Sequence, residues 1–155
     1  RTITEVRKFK PDVIFDDYIQ LIHTGNKEEF RRQALEKLVH EYKWVAKENN
    51  CAVVLASQLN RALETRGNQR PQLSDLAESG SMEQVAENVL FVFYRYKMTG
   101  DPADKNDITL VASKVRYGET GETTLYYDGD KATIFNDQED FINADKEGEQ
   151  DELPF

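Results

Sequence analysis

One cysteine, two histidines, one tryptophan and four prolines serve 155 residues, and these scarcities remove several classes of protein. Cys51, alone, cannot close an internal disulfide, which excludes a disulfide-stapled scaffold and suits a reducing, cytoplasmic setting. His23 and His40 have no metal-ligand spacing to Cys51, so no zinc site is expected. No apolar run approaches the roughly 18 residues that cross a bilayer, and no short apolar stretch behind Arg1 resembles a signal peptide. The chain opens without an initiator Met, and a fragment that begins within a longer gene is expected.

The net charge of −9 argues, taken alone, against nucleic acid as a partner. Its distribution weakens that argument. Residues 137–155 hold eight acids against Lys146, a net of −7, so the remainder carries −2. With 39% hydrophobic and 32% charged residues, the length suits one soluble domain with a real core rather than two domains.

Ile3, Val6 and Phe9 recur at near-helical spacing until Pro11, which stops a helix there. Val13-Ile14-Phe15, before Asp16 and Asp17, reads as a central strand buried on both faces. Residues 27–49 align Phe30, Ala34, Leu38, Tyr42 and Val45, widened by Leu35, Val39 and Ala46, as the apolar stripe of an amphipathic helix. Cys51–Ala56 is a second apolar strand, and a crossover of that length suits parallel pairing, so the expected class is α/β.

Residues 57–80 form a long polar connection of the functional or mobile kind, and Met82–Asn88 a short helix capped by Ser79 or Ser81. Val89–Tyr94 reads as a third buried strand and 96–107 as a polar loop. Ile108–Arg116, Thr123–Asp128 and Ala132–Phe135 read as closing antiparallel strands, with Asp128-Gly129 as a hairpin signal. Two regions result: a folded body over 1–135 and an acidic tail over 136–155, expected to be disordered for want of periodicity and apolar content.

Acids at the carboxyl end of a parallel strand stand where α/β proteins bind ligands. Mg²⁺, which keeps most of its water and needs one or two carboxylates, is the natural partner of Asp16 and Asp17, although two acids beyond a strand can also simply face solvent. Ala56-Ser57-Gln58-Leu59-Asn60-Arg61 brings amides and a guanidinium to the mouth of the next strand. Gln58 could sense a phosphate or an attacking water there, or merely hydrogen-bond a loop. Trp44 suits packing or a subunit contact, and Tyr94 and Tyr96 suit the core better than base stacking.

The run Asp12-Val13-Ile14-Phe15-Asp16-Asp17-Tyr18-Ile19-Gln20-Leu21-Ile22 resembles the Walker B segment of DnaB-type replicative DNA helicases. The likeness continues in order through Ser57-Gln58-Leu59-Asn60-Arg61, Leu63-Glu64, Arg66, Arg70-Pro71, Ser74-Asp75-Leu76 and Glu78-Ser79-Gly80-Ser81-Met82-Glu83-Gln84. It ends with Lys114-Val115-Arg116-Tyr117-Gly118 and Gly121, spanning about residues 3–135.

The resemblance implies the C-terminal part of a RecA-like ATPase core, with parallel central strands, helices on the faces and antiparallel hairpin strands at the end. It implies ATP and Mg²⁺ as cofactors, Asp17 holding the metal through water, and Gln58 coupling the γ-phosphate to DNA-contacting segments. Lys114 and Arg116 would serve the adjacent subunit's nucleotide, Arg116 as an arginine finger, which requires a ring, a homo-hexamer in this family. Arg61, Arg66, Arg70, Glu78 and Gly80 would face single-stranded DNA, whose backbone such contacts follow without reading sequence. Primase and a helicase loader are implied partners, in a bacterial or phage-infected cell, and no membrane is.

Departures accompany the likeness. Ala77 stands where the family usually has a phosphate-contacting arginine, and Val85 and Glu87 replace its usual aspartates, as in a divergent, phage-type member. No Gly-rich phosphate loop with Lys-Ser/Thr occurs in the 155 residues; in the family it precedes the Walker B strand, so this segment alone is expected neither to bind ATP normally nor to hydrolyse it. Asp151-Glu152-Leu153-Pro154-Phe155 resembles the acidic, Pro-Phe-ended tips of bacterial single-stranded-DNA-binding proteins, which dock replication partners. A non-catalytic RecA-like module that recruits replisome partners through this tail is therefore the rival reading. A recombinase-like or clock-type ATPase would lack the series from Ser57 to Ser81.

Overall fold

A computed structural model describes residues 2–21, 28–66, 70–76 and 80–150, which fall into two compact units. The first unit, residues 1–68 and 72–87, begins with helix α1 (Thr2–Phe9), which ends before Pro11, with Lys10 in the left-handed region at φ 47°. Strand β1 (Val13–Asp16) leads through a 3-10 turn (Ile19–Leu21) towards the long helix α2 (Glu28–Asn49), and the chain returns as β2 (Ala52–Leu55). β1 and β2 pair in parallel, Val13 opposite Ala52 and Asp16 opposite Leu55, the strand–helix–strand arrangement expected.

α2 buries the face expected of it: Leu35, Val39, Tyr42 and Val45 are buried, while Phe30 is among the side chains not described. Leu35 and Val39 form a core with Ile19 and Met82, against which Leu38, Leu55, Leu76 and Val85 pack. Full burial of an aliphatic side chain contributes about 1.5–3 kcal/mol, so this small cluster is the unit's principal adhesive. The expectation of a strand buried on both faces is not met. Ile14, Asp16, Val53 and Leu55 alternate inward, but Phe15 is 77% exposed and Val54 48%. Nothing among the described residues of the unit covers their outer face.

Between β2 and the next long strand the expected loop contains short ordered pieces: helix α3 (Ala62–Thr65), a 3-10 turn (Leu73–Asp75) and helix α4 (Gly80–Val85). A bridge between Leu59 and Leu76 and the bond from Asn60 N–H to the Asp75 carbonyl (2.8 Å) tie the loop's two limbs together.

The second unit, residues 69–71 and 88–155, holds an antiparallel sheet in the order β3 (Asn88–Phe93), β4 (Asp107–Val115), β5 (Gly121–Asp128), β6 (Thr133–Phe135). β3 is buried on one face only: Val89 and Phe91 are buried, whereas Leu90 and Val92 are exposed. Residues 96–107, expected as loop, include helix α5 (Tyr96–Thr99), closed by Gly100 at φ 67°, and a 3-10 turn (Pro102–Asp104). Tyr94 packs edge-on to Tyr127 at 5.0 Å and donates to the Lys105 carbonyl at 2.8 Å, as befits a packing residue.

The acidic tail corrects a second expectation. Residues Gln138–Gln150 form helix α6 rather than a disordered segment. The Asp137 carboxylate accepts the Asp140 N–H at 2.9 Å, as an N-cap does, and Phe141 packs on Tyr126 (6.0 Å) and Phe135 (5.7 Å). Composition recorded the charge and missed that one aromatic finds two partners on the sheet.

Candidate functional site

The parallel register sets the carboxyl ends of β1 and β2 side by side. Ala56 N–H donates to the Asp16 carbonyl at 2.9 Å and Ile19 N–H to the Ala56 carbonyl at 3.1 Å, so the turns after both strands are laced together. This mouth carries Asp16, Asp17, Ser57 and Gln58. Its two acids have different surroundings. Asp16 faces α2, where the buried Tyr42 hydroxyl donates to its carboxylate, and burial together with that carboxylate pushes the Tyr42 phenol well above its ordinary value. Asp17 is exposed at the strand end, joined to Tyr18 by a cis peptide bond. A single exposed carboxylate fits a cation that remains largely hydrated, and no group of three or more His, Cys, Asp or Glu among the described residues forms a closed metal cage.

Gln58 has an exposed side chain, but its backbone is held. Gln20 bridges across: its Nε2 donates to Ser57 Oγ at 2.9 Å and lies 3.4 Å from the Gln58 carbonyl, and its Oε1 accepts the Gln58 N–H at 3.3 Å. Gln20 stands within the Asp12–Ile22 run, where nothing in its residue type or spacing marks it for this bridge. A side chain pairing with backbone 38 positions away leaves no periodic trace, so no spacing rule could have found it.

The arginines of the loop fare unequally. Arg61 is exposed at the start of α3. Arg66 places its two terminal nitrogens on Asp75, Nη1 at 3.1 Å and Nη2 at 2.9 Å, and Asp75, itself buried, also accepts the Gln72 N–H at 2.8 Å. This is a bidentate brace that closes the loop. Arg70, in the second unit, pairs with Glu122 of β5. Gly80 opens α4, exposed, with open space where a Cβ would stand; Glu78, Ala77, His23 and residues 151–155 lie outside the described residues.

In the second unit, β4 pairs with β3 in an interrupted register: Val89 is opposite Lys114 but Leu90 opposite Ala112, a bulge that shifts the end of β4. Bulges re-aim side chains, and here the residues re-aimed are those leading to Arg116. Arg116 is exposed, its guanidinium 5.6 Å from the centre of the Tyr117 ring, which is itself 90% exposed. Gly118 follows where an added Cβ would meet Val115 Cγ1 at 3.1 Å, a tight turn at the tip of the hairpin. Thus Asp17 and Gln58 are brought together in the first unit, and Lys114 and Arg116 in the second.

A family model described as DnaB-like helicase C terminal domain matches residues 2–137. The chain is 34% identical, over an alignment of 155 residues, to the replicative DNA helicase DnaB of Rickettsia typhi, covering 89% of this chain and 31% of that protein. It is 32% identical to the replicative DNA helicase DnaB of Geobacillus stearothermophilus, over 92% of this chain and 30% of that one. The chain thus spans about a third of the length of these relatives. Among solved structures, it resembles one described as an ATPase domain with a TM-score of 0.80 at 27% identity, covering 88% of this chain and 50% of that one. A DnaB-like replicative helicase, described together with its interactions with primase, matches with the same TM-score and identity over 34% of its length.

Proposed function

The chain belongs to the DnaB-like helicase C-terminal domain family and has the α/β fold of its RecA-like ATPase domains, and from that premise we propose that it forms part of the motor of a hexameric replicative helicase. That motor couples ATP hydrolysis to translocation along single-stranded DNA and to duplex unwinding. The observation that carries the reading is the parallel mouth of β1 and β2, where exposed Asp17 follows the first strand and Ser57 and Gln58 follow the second, while Asp16 is committed to Tyr42.

In this reading Asp17 holds Mg²⁺ through a bound water and Gln58 reports the state of the γ-phosphate. The metal, when present, neutralises charge developing on the phosphates. Lys114 and Arg116 extend to the nucleotide of the adjacent subunit, where a fixed guanidinium meets the charge of the transferring phosphoryl group. Arg61, Glu78 and Gly80 in one unit, and Arg70 in the other, are the residues this reading gives to the DNA backbone. Arg66, which the resemblance gives to DNA, is braced on Asp75 and so also holds the loop. Because the 155 residues contain no Gly-rich phosphate loop, this segment by itself does not turn over ATP. Primase and a loader are partners of the assembled ring, and the acidic end offers a replication protein a docking tail.

The role of Asp17 is tested in the intact protein by Asp17→Asn. A carboxylate acting through a metal-bound water is worth about 10- to 100-fold in metal affinity or activity. Mg²⁺-dependent hydrolysis should therefore fall by at least that factor, and wild-type turnover would remove the assignment.

A further inference from the structure

Gln20 follows a firm anchor. Ile19, fully buried, fixes the 3-10 turn after the β1 acids through its side chain and through its N–H on the Ala56 carbonyl. From that anchor the Gln20 amide addresses both backbone groups of Gln58, and a planar primary amide is the side-chain group that offers an acceptor and donors together for such a pairing. The contacts are graded. The bond to Ser57 Oγ, at 2.9 Å, is of ordinary length, whereas those to the Gln58 N–H and carbonyl, at 3.3 and 3.4 Å, are long. The shortest of the three contacts is thus the one to Ser57.

The path continues beyond Gln58. Ser57 Oγ lies 3.5 Å from the sulfur of Met82, which is buried in α4 and shares the core with Ile19, Leu35 and Val39. A connected series thus runs from the turn after Asp17, through Gln20 and Ser57, to the helix that begins at Gly80. Its two ends are the parts assigned to the metal and to DNA.

We propose that Gln20 is a positioning residue that couples the nucleotide mouth to the DNA-facing helix, setting the Gln58 backbone and, through Ser57, its relation to α4. The inference rests on the reading of Gln58 as the nucleotide-sensing residue. Glutamate at position 20 would still accept the Gln58 N–H but could not donate to the Gln58 carbonyl; alanine would make neither bond.

The test uses the intact protein, a fluorescein-labelled oligo-dT, and a non-hydrolysable ATP analogue with Mg²⁺. The quantity read is the ratio of oligo-dT Kd without and with the analogue, together with the amide exchange rate at Gln58. Coupled sites of this kind give ratios of about 5 or more. Gln20→Ala should bring the ratio to within about twofold of unity and raise Gln58 exchange about tenfold. Gln20→Glu, nearly isosteric, keeps the Gln58 N–H bond and loses the donor to the Gln58 carbonyl, so its ratio should fall between. A full wild-type ratio in Gln20→Ala, with or without faster exchange, overturns the proposal alone. A wild-type ratio of one removes the nucleotide-sensing reading and the proposal with it.

Discussion

Breaking the Arg66–Asp75 pair separates two roles that sequence could not tell apart for Arg66, a phosphate contact and a brace. Asp75 is buried, and the Arg66 side chain that meets it is 31% exposed. Removing one partner from a well-formed buried pair costs about 3–5 kcal/mol; water and salt reach Arg66, so the expected cost of Arg66→Ala is lower, about 2–3 kcal/mol. Asp75→Ala also strands the Gln72 N–H, which it accepts at 2.8 Å, adding about 1 kcal/mol. Both substitutions destroy the same pair, so the double variant should be little worse than Asp75→Ala, a coupling of about 2 kcal/mol from urea midpoints at constant slope. A phosphate contact would behave otherwise. Arg66→Ala would lower the log–log salt slope of single-stranded DNA binding by about 0.7, and Asp75→Ala would not. Additive stabilities within about 0.5 kcal/mol, accompanied by that change in slope, would refute the brace.

Leu35→Ala should destabilise the first unit by about 2–5 kcal/mol, because Leu35 is fully buried among Ile19, Val39 and Met82; a shift in urea midpoint worth under 1 kcal/mol would mean the cluster is not its core. The Asp128 carboxyl is held below its ordinary value of 3.8 chiefly by the Lys131 backbone N–H, with that of Asp130 and the Lys131 ammonium adding to it. A depressed carboxylate stabilises above its unfolded pKa and loses that contribution as pH falls through the folded one, so Asp128→Asn should flatten stability below about pH 4, read by acid titration. If Arg116 serves a neighbour's site in the proposed ring, Arg116→Ala subunits mixed with wild type should depress hydrolysis beyond dilution, since such an arginine is worth about 10³–10⁵ in kcat; a strictly proportional loss would place its action within one subunit.

What was legible in the sequence follows from how local each signal is. The α2 stripe, the parallel pairing of β1 and β2 and the closing antiparallel strands were readable because periodicity and turn chemistry act over a few residues. The exposure of Phe15 and Val54 was not, since an apolar run says what a strand can bury and not whether its cover is supplied by the same unit. Helix α6 escaped because a count of charges outweighed one well-placed Phe141. In the site, the ordered motifs led to Asp17 and Gln58. The commitment of Asp16 to Tyr42, of Arg66 to Asp75, and of Gln20 to Ser57 and Gln58 emerges only from geometry, because each joins residues at spacings that no helix or strand period relates.

The most direct test of the motor assignment is the ATPase rate of the intact protein with and without single-stranded DNA, measured alongside unwinding of a forked duplex. DNA-stimulated hydrolysis accompanied by strand separation is the predicted result. A folded protein that neither hydrolyses ATP nor separates strands would contradict it, and would make a non-catalytic replisome module the better description.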